Sequence, residues 1–220
     1  MELEPLALFT AYFVTFFVLI DAPGVTPIFA TLTADGSPQY RRAMAVKSVI
    51  VAAIILALFA FGGAWLLDAM HISIDAFRAA GGALLFLIAL DMVFEKRTER
   101  REQRAEGVRE GHDEASPEPE DISVFPMGIP MLAGPGSIAS AMLFMSNADG
   151  AVVHQAIVLA AIGANLLLCL VLFLLAGPLV RWMGDSLAGA ITRIFGVILA
   201  ALSVQLLFDG LKGAFGIGVG

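Results

Sequence analysis

Cysteine is almost missing from this chain: Cys169 is the only one, which excludes an intrachain disulfide and C-x-x-C redox chemistry. It lies in an apolar run and reads as a small packing residue. Histidine is scarce too, and His71, His112 and His154 fall in loops at no metal-ligand spacing. Charged residues make up 15% of the chain, against roughly 25% in ordinary soluble domains. Ten of the 20 acids lie between Glu95 and Asp121, so the net charge of −7 reports one segment and points to no nucleic-acid partner. The apolar runs hold no H-E-x-x-H, no paired acids and no Ser/His/Asp set. No glycine-rich phosphate loop with lysine follows a strand. The expectation is a protein that is not an enzyme and needs no cofactor or metal.

What the chain has instead is apolar length. Hydrophobic residues reach 59%, above the roughly 45–50% of soluble domains. They fall in uncharged runs, and about 20 apolar residues in a helix cross the roughly 30 Å hydrocarbon core of a bilayer. Six spans are predicted, over about Pro5–Thr33, Ala43–Leu67, Asp75–Phe94, Ile122–Asn147, Val153–Val180 and Leu187–Leu211. The fold class is therefore all-α integral membrane. The first run does not read as a signal peptide, because Glu2 and Glu4 precede it and no A-x-A site follows.

Residues 95–121 differ in kind, rich in Glu and Arg with almost no aliphatics, and read as a solvated loop. That loop divides the chain into a three-helix unit at 1–94 and another at 122–220. Eleven Lys and Arg residues follow spans 1, 3 and 5, and only Arg78 and Lys212 fall on the opposite side. Basic residues concentrate on the cytoplasmic side. Both termini are thus expected outside and the 95–121 loop in the cytoplasm.

The two units resemble each other. Ala22-Pro23-Gly24 in span 1 answers Gly134-Pro135-Gly136 in span 4, and Arg78-x-x-Gly81 answers Arg193-x-x-Gly196. An odd helix count per unit forces opposite orientations, the inverted repeat of many secondary transporters. Glycine-rich apolar segments also look alike by chance.

Proline removes an amide donor and glycine relaxes the backbone. Spans 1 and 4 are therefore expected to break at these Pro-Gly motifs. Irregular backbone at membrane depth is tolerated where protein or a water-filled cavity satisfies it. Each following half-helix would present free amides and a positive dipole end to an anion such as a carboxylate. The candidate binding residues at the first break are Asp21, Pro23, Gly24, Val25, Thr26 and Pro27. At the second they are Gly134, Pro135, Gly136, Ser137 and Ser140. The alternative is a pair of structural kinks. Asp21 either meets a ligand ammonium or coupling Na⁺ or H⁺, or caps the helix after the break. Asn165 and Gln205 lie inside spans 5 and 6 and either line the cavity or bond a neighbouring helix. Arg78 and Arg193 are candidates for an interhelical ion pair or gate. Asp91 and Asp209 read as interfacial.

Taken together, DAPGVTPIF at Asp21–Phe29, ISIDAFRAAGGALLFLIALDM at Ile72–Met92, FPMGIPMLAGPGSIA at Phe125–Ala139 and ITRIFGVILAALSVQLLFDGL at Ile191–Leu211 resemble the MarC family of bacterial and archaeal inner-membrane proteins. The resemblance implies six spans in the plasma membrane, and some members are described as transporters of small neutral amino acids. The implied partners are a small zwitterion and the lipid bilayer, with room for a homo-oligomer. One departure stands out. The family commonly shows D-P-x-G-N-x-P at the first break. Here the proline falls one residue later, at Pro23, and Val25 stands at the Asn position.

Overall fold

The computed structural model describes residues 4–34, 36–94, 100, 102–103, 121–148 and 150–217, with backbone alone over 180–188. The described residues are helical or irregular, with no strand among them. Among the described residues five helices are long and apolar enough to cross a membrane, and a bent pair of segments in the second half makes a sixth if the pair is one span.

The first crossing comprises α1 (Pro5–Ile20) and α2 (Ala22–Leu32), which together run as a 28-residue apolar span. The joint is Asp21, held in the left-handed region at φ 55°, ψ 56°. The break thus falls ahead of Ala22-Pro23-Gly24. Pro23 lies in the first turn of α2, where its missing N–H has no intrahelical acceptor to lose. Arg41 closes the far end of α2, its guanidinium donating to the carbonyls of Thr33 (2.9 Å) and Ala34 (2.7 Å).

Next come α3 (Pro38–Ala69) and α4 (Ile74–Val93), each begun by a serine cap, Ser37 and Ser73. Ile54, Leu58, Phe61 and Trp65 form an exposed apolar stripe on α3. In a bilayer that stripe faces lipid and incurs no hydration cost.

Span 4 is the irregular one. Ser123–Leu132 forms wide turns in which the Met127 amide bonds the Ile122 carbonyl and the Ala133 amide the Gly128 carbonyl, five residues back. Phe125 and Ile129 are extended, and each precedes a cis proline, Pro126 and Pro130. The straight helix α5 (Pro135–Asn147) follows, and the pair bends by 60°. Lys47 anchors the entry to this stretch through a 2.8 Å ion pair with Asp121. The Lys47 ammonium and the Ser123 hydroxyl hold the Asp121 carboxyl down at about 2.

The last two helices are α6 (Val152–Leu174) and α7 (Ala176–Phe215). Here the structure corrects the sequence reading. Span 5 stops at Leu174, not near Val180, and the chain is helical through 180–187. Pro178 supplies the reason: it has no amide hydrogen for the carbonyl of Leu174, so the chain turns at Leu175 and restarts. At 1.5 Å per residue the 40 residues of α7 would extend about 60 Å. Among the described residues Gly189–Phe215 is the stretch of it long and apolar enough to cross a membrane.

Packing brings α4 along α7. A Cβ on Gly82 would lie 2.6 Å from the Leu207 amide nitrogen, and one on Gly196 2.9 Å from Met92 Cβ. Glycine therefore sets how closely these backbones approach, as at other membrane helix interfaces. Phe16, Ile20, Val25, Phe29 and Leu56 belong to the larger core, while Leu19, Leu85, Ala89, Met92 and Leu199 form a second cluster between α1, α4 and α7.

Candidate functional site

The two Pro-Gly motifs end up in different surroundings. At the first, Asp21 is fully buried. Its backbone amide closes α1 on the Phe17 carbonyl at 3.0 Å. Its carboxylate accepts from the Gly24 amide at 3.3 Å, capping α2. Thr192 of α7, itself 2% exposed, donates its hydroxyl to that carboxylate at 3.2 Å. One acid therefore joins the end of α1, the start of α2 and α7. Gly24 allows the contact, since a Cβ there would sit 2.3 Å from Asp21 Oδ2. A helix start that holds its own carboxylate already has an anion on its amides.

The second motif is arranged otherwise. Gly134 precedes α5 with extended backbone, and no side chain caps the helix. Pro135 has no amide hydrogen, and the Ile138 amide bonds the Gly134 carbonyl at 3.0 Å. The Gly136 and Ser137 amides are the first-turn donors that an α-helix leaves without an internal acceptor. Ser137 is 2% exposed, and its hydroxyl has no hydrogen-bond partner among the described residues.

Gly134, Pro135, Gly136 and Ser137 line a cavity of about 200 Å³. Leu19 of α1 and Leu84 and Ile88 of α4 form apolar walls, with Pro130 and Met131 from the irregular stretch. Asp91 and Arg100 supply its charge and pair with each other. A Cβ on Gly136 would meet Leu19 and Leu85 at 3.0 Å and Ile88 at 3.2 Å. The residues just ahead of the first joint thus pack on the second. A cavity of this size is below the roughly 300–1,000 Å³ of drug-sized sites and suits a small solute.

The remaining sequence candidates have local duties. Val25 is fully buried in the core and does not line the cavity. Thr26 donates to the Ala22 carbonyl at 2.7 Å, within its own helix. Pro23 and Pro27 lie inside α2, half-buried. Ser140 is buried one turn beyond Gly136, and its hydroxyl finds no partner among the described residues. Asn165 donates to the carbonyls of Phe13 (3.1 Å) and Ala161 (2.9 Å), tying α6 to α1. Gln205 is exposed and bonds Asp209 on its own helix at 2.9 Å. Arg78 pairs with Asp75 at 3.0 Å within α4, and its interhelical bond goes to the Asn147 amide oxygen at 2.6 Å. Arg193 is exposed beside Thr192. The structure adds Thr192, Asp91 and Arg100, of which the sequence had marked only Asp91, as interfacial.

Comparison with known proteins agrees with this architecture. Residues 6–215 match the model of the MarC family integral membrane protein. UPF0056 membrane protein MJ1677 of Methanocaldococcus jannaschii is 36% identical, over 94% of this chain and 97% of its own. YvbG of Bacillus subtilis, also a UPF0056 membrane protein, is 34% identical, over 92% and 93%. YhcE of Escherichia coli, under the same description, is 32% identical, over 93% and 92%. None of these names specifies a substrate. No solved structure matches the chain. With a family match across nearly its full length, the chain belongs to the MarC family of integral membrane proteins.

Proposed function

We propose that this protein is a secondary transporter of small neutral amino acids, of the glycine, alanine and serine type, and not an enzyme. One observation carries the reading: an uncapped helix start, inside a membrane protein, opens on a cavity sized for a small solute. The Gly136 and Ser137 amides and the Ser137 hydroxyl would hold the carboxylate, aided by the positive end of α5. Asp21 keeps the role of cap, and a coupling Na⁺ or H⁺ would act through whichever acid meets the ligand.

The inverted repeat is part of the proposal. Gly196 of one Arg-x-x-Gly block packs on α4, and Gly82, one residue past the other block, packs on α7, a reciprocal contact that supports the reading although it is offset by one residue. The basic residues favour termini outside and the 95–121 loop in the cytoplasm, with a homo-oligomer compatible with the exposed apolar stripes. The predominantly apolar lining favours a second reading, an exporter or permease of another small solute.

Uptake of labelled alanine and glycine into proteoliposomes under imposed Na⁺ or H⁺ gradients is the test. Gradient-dependent accumulation is expected. No flux of any small amino acid under either gradient would refute the transport of amino acids.

A further inference from the structure

Asp91 is the only acid among the described residues that line the cavity. It belongs to the same stripe of α4 as Leu84 and Ile88, at i, i+4 and i+7, so all three face one way. Gly136 meets α4 at Leu85 and Ile88. Asp91 lies three residues past Ile88, about 4.5 Å of rise at 1.5 Å per residue. The first-turn amides of α5 and the Asp91 carboxylate are therefore about one turn apart along one wall. The cavity has a hydrogen-bond donor end and an acceptor end.

The donor end rests on more than a helix start, because Ser137, 2% exposed as a residue, lines the same space and its hydroxyl makes no hydrogen bond among the described residues. The acceptor end is committed to Arg100. Arg100 is 60% exposed at its side chain and Asp91 24%, so the pair sits where the cavity meets solvent. An exposed ion pair of this kind contributes little, typically about 0–1 kcal/mol. A ligand ammonium held by a second anchor in the same cavity competes with it at small cost.

On this basis, which rests on the carboxylate site proposed above, we infer that Asp91 selects ligands that carry an ammonium group. Arg100 is its resident partner. A small zwitterion puts its carboxylate on the Gly136 and Ser137 amides and its ammonium on Asp91, displacing the guanidinium. Asp21 cannot serve in this role. Its carboxylate is bound by Gly24 and Thr192 and does not line the cavity.

The test compares alanine with propionate, which lacks the ammonium, by calorimetric binding to the full-length protein in detergent or nanodiscs. Wild type is expected to prefer alanine. Asp91→Asn is expected to lose about tenfold in alanine affinity, the loss of one charge-assisted contact, with propionate unchanged. Arg100→Gln is expected to bind alanine as well as wild type or better, and Asp91→Glu to restore part of the preference. An Asp91→Asn protein that is well folded by circular dichroism yet keeps the full preference would overturn the inference and leave the carboxylate site standing. Loss of both ligands in Arg100→Gln would make Arg100 the carboxylate receptor, which also overturns it. No binding of either probe to wild type would sink the proposed site and this inference together.

Discussion

The helix starts at Ala22 and Pro135 follow similar sequence motifs, and the chain treats them in opposite ways. At the first, Asp21 turns back to cap α2 and takes a second hydrogen bond from Thr192. At the second, Gly134 stands where a cap would be, and its methylene hydrogen cannot accept or donate to the amides of α5. Proline and glycine mark where a membrane helix must restart. The residue at the cap position decides whether that restart is a sealed joint or an open site. Asp makes it a joint, and Gly leaves it open toward the cavity shared by α1, α4 and the irregular stretch.

If this contrast is right, substitutions at the two starts fail differently. The largest effect belongs to Asp21→Ala. It removes the cap, worth about 1 kcal/mol, and strands the buried Thr192 hydroxyl, at about 1–3 kcal/mol. Thermal or denaturant unfolding in detergent should show a loss of about 2–4 kcal/mol. Unchanged stability with abolished transport would break the comparison, since Asp21 would then be part of the site. A smaller effect belongs to Ser137→Ala. It loses one hydrogen bond to ligand, about 1 kcal/mol or roughly fivefold in affinity, while stability stays within about 0.5 kcal/mol. A stability loss as large as that of Asp21→Ala would make Ser137 a structural residue and remove the contrast.

Much of the fold was legible because hydropathy is set by single residues added along the chain. The five long apolar helices, the charged segment and the disturbance of span 4 all follow from where apolar, charged and proline residues fall. The errors were local. The run Val153–Val180 looks uninterrupted by hydropathy, but Pro178 cannot supply the amide that would bond the Leu174 carbonyl four residues back, and the helix turns there. Likewise Pro23 and Gly24 suggested the break, while the chain turns at Asp21 and carries both residues inside α2.

The site was harder to read. Asp21 is recognisable as either a ligand residue or a cap, and its distances to Gly24 and Thr192 show the cap. Thr192 had no mark in the sequence, since a threonine beside an arginine is ordinary until another helix brings an acid to it. Asp91 looked like an interfacial charge at the end of a span. Its place on the cavity depends on the 60° bend that carries Gly134–Ser137 against α4, and that bend is a tertiary fact. Val25, at the family's Asn position, proved to be core.

The contrast between the sealed and the open start is tested most directly by an experimental map of the protein with a heavy-atom-labelled alanine analogue bound. Density for its carboxylate within hydrogen-bond reach of the Gly136 and Ser137 amides is the predicted result. Density lodged between Asp21 and Thr192, with nothing at α5, would contradict it.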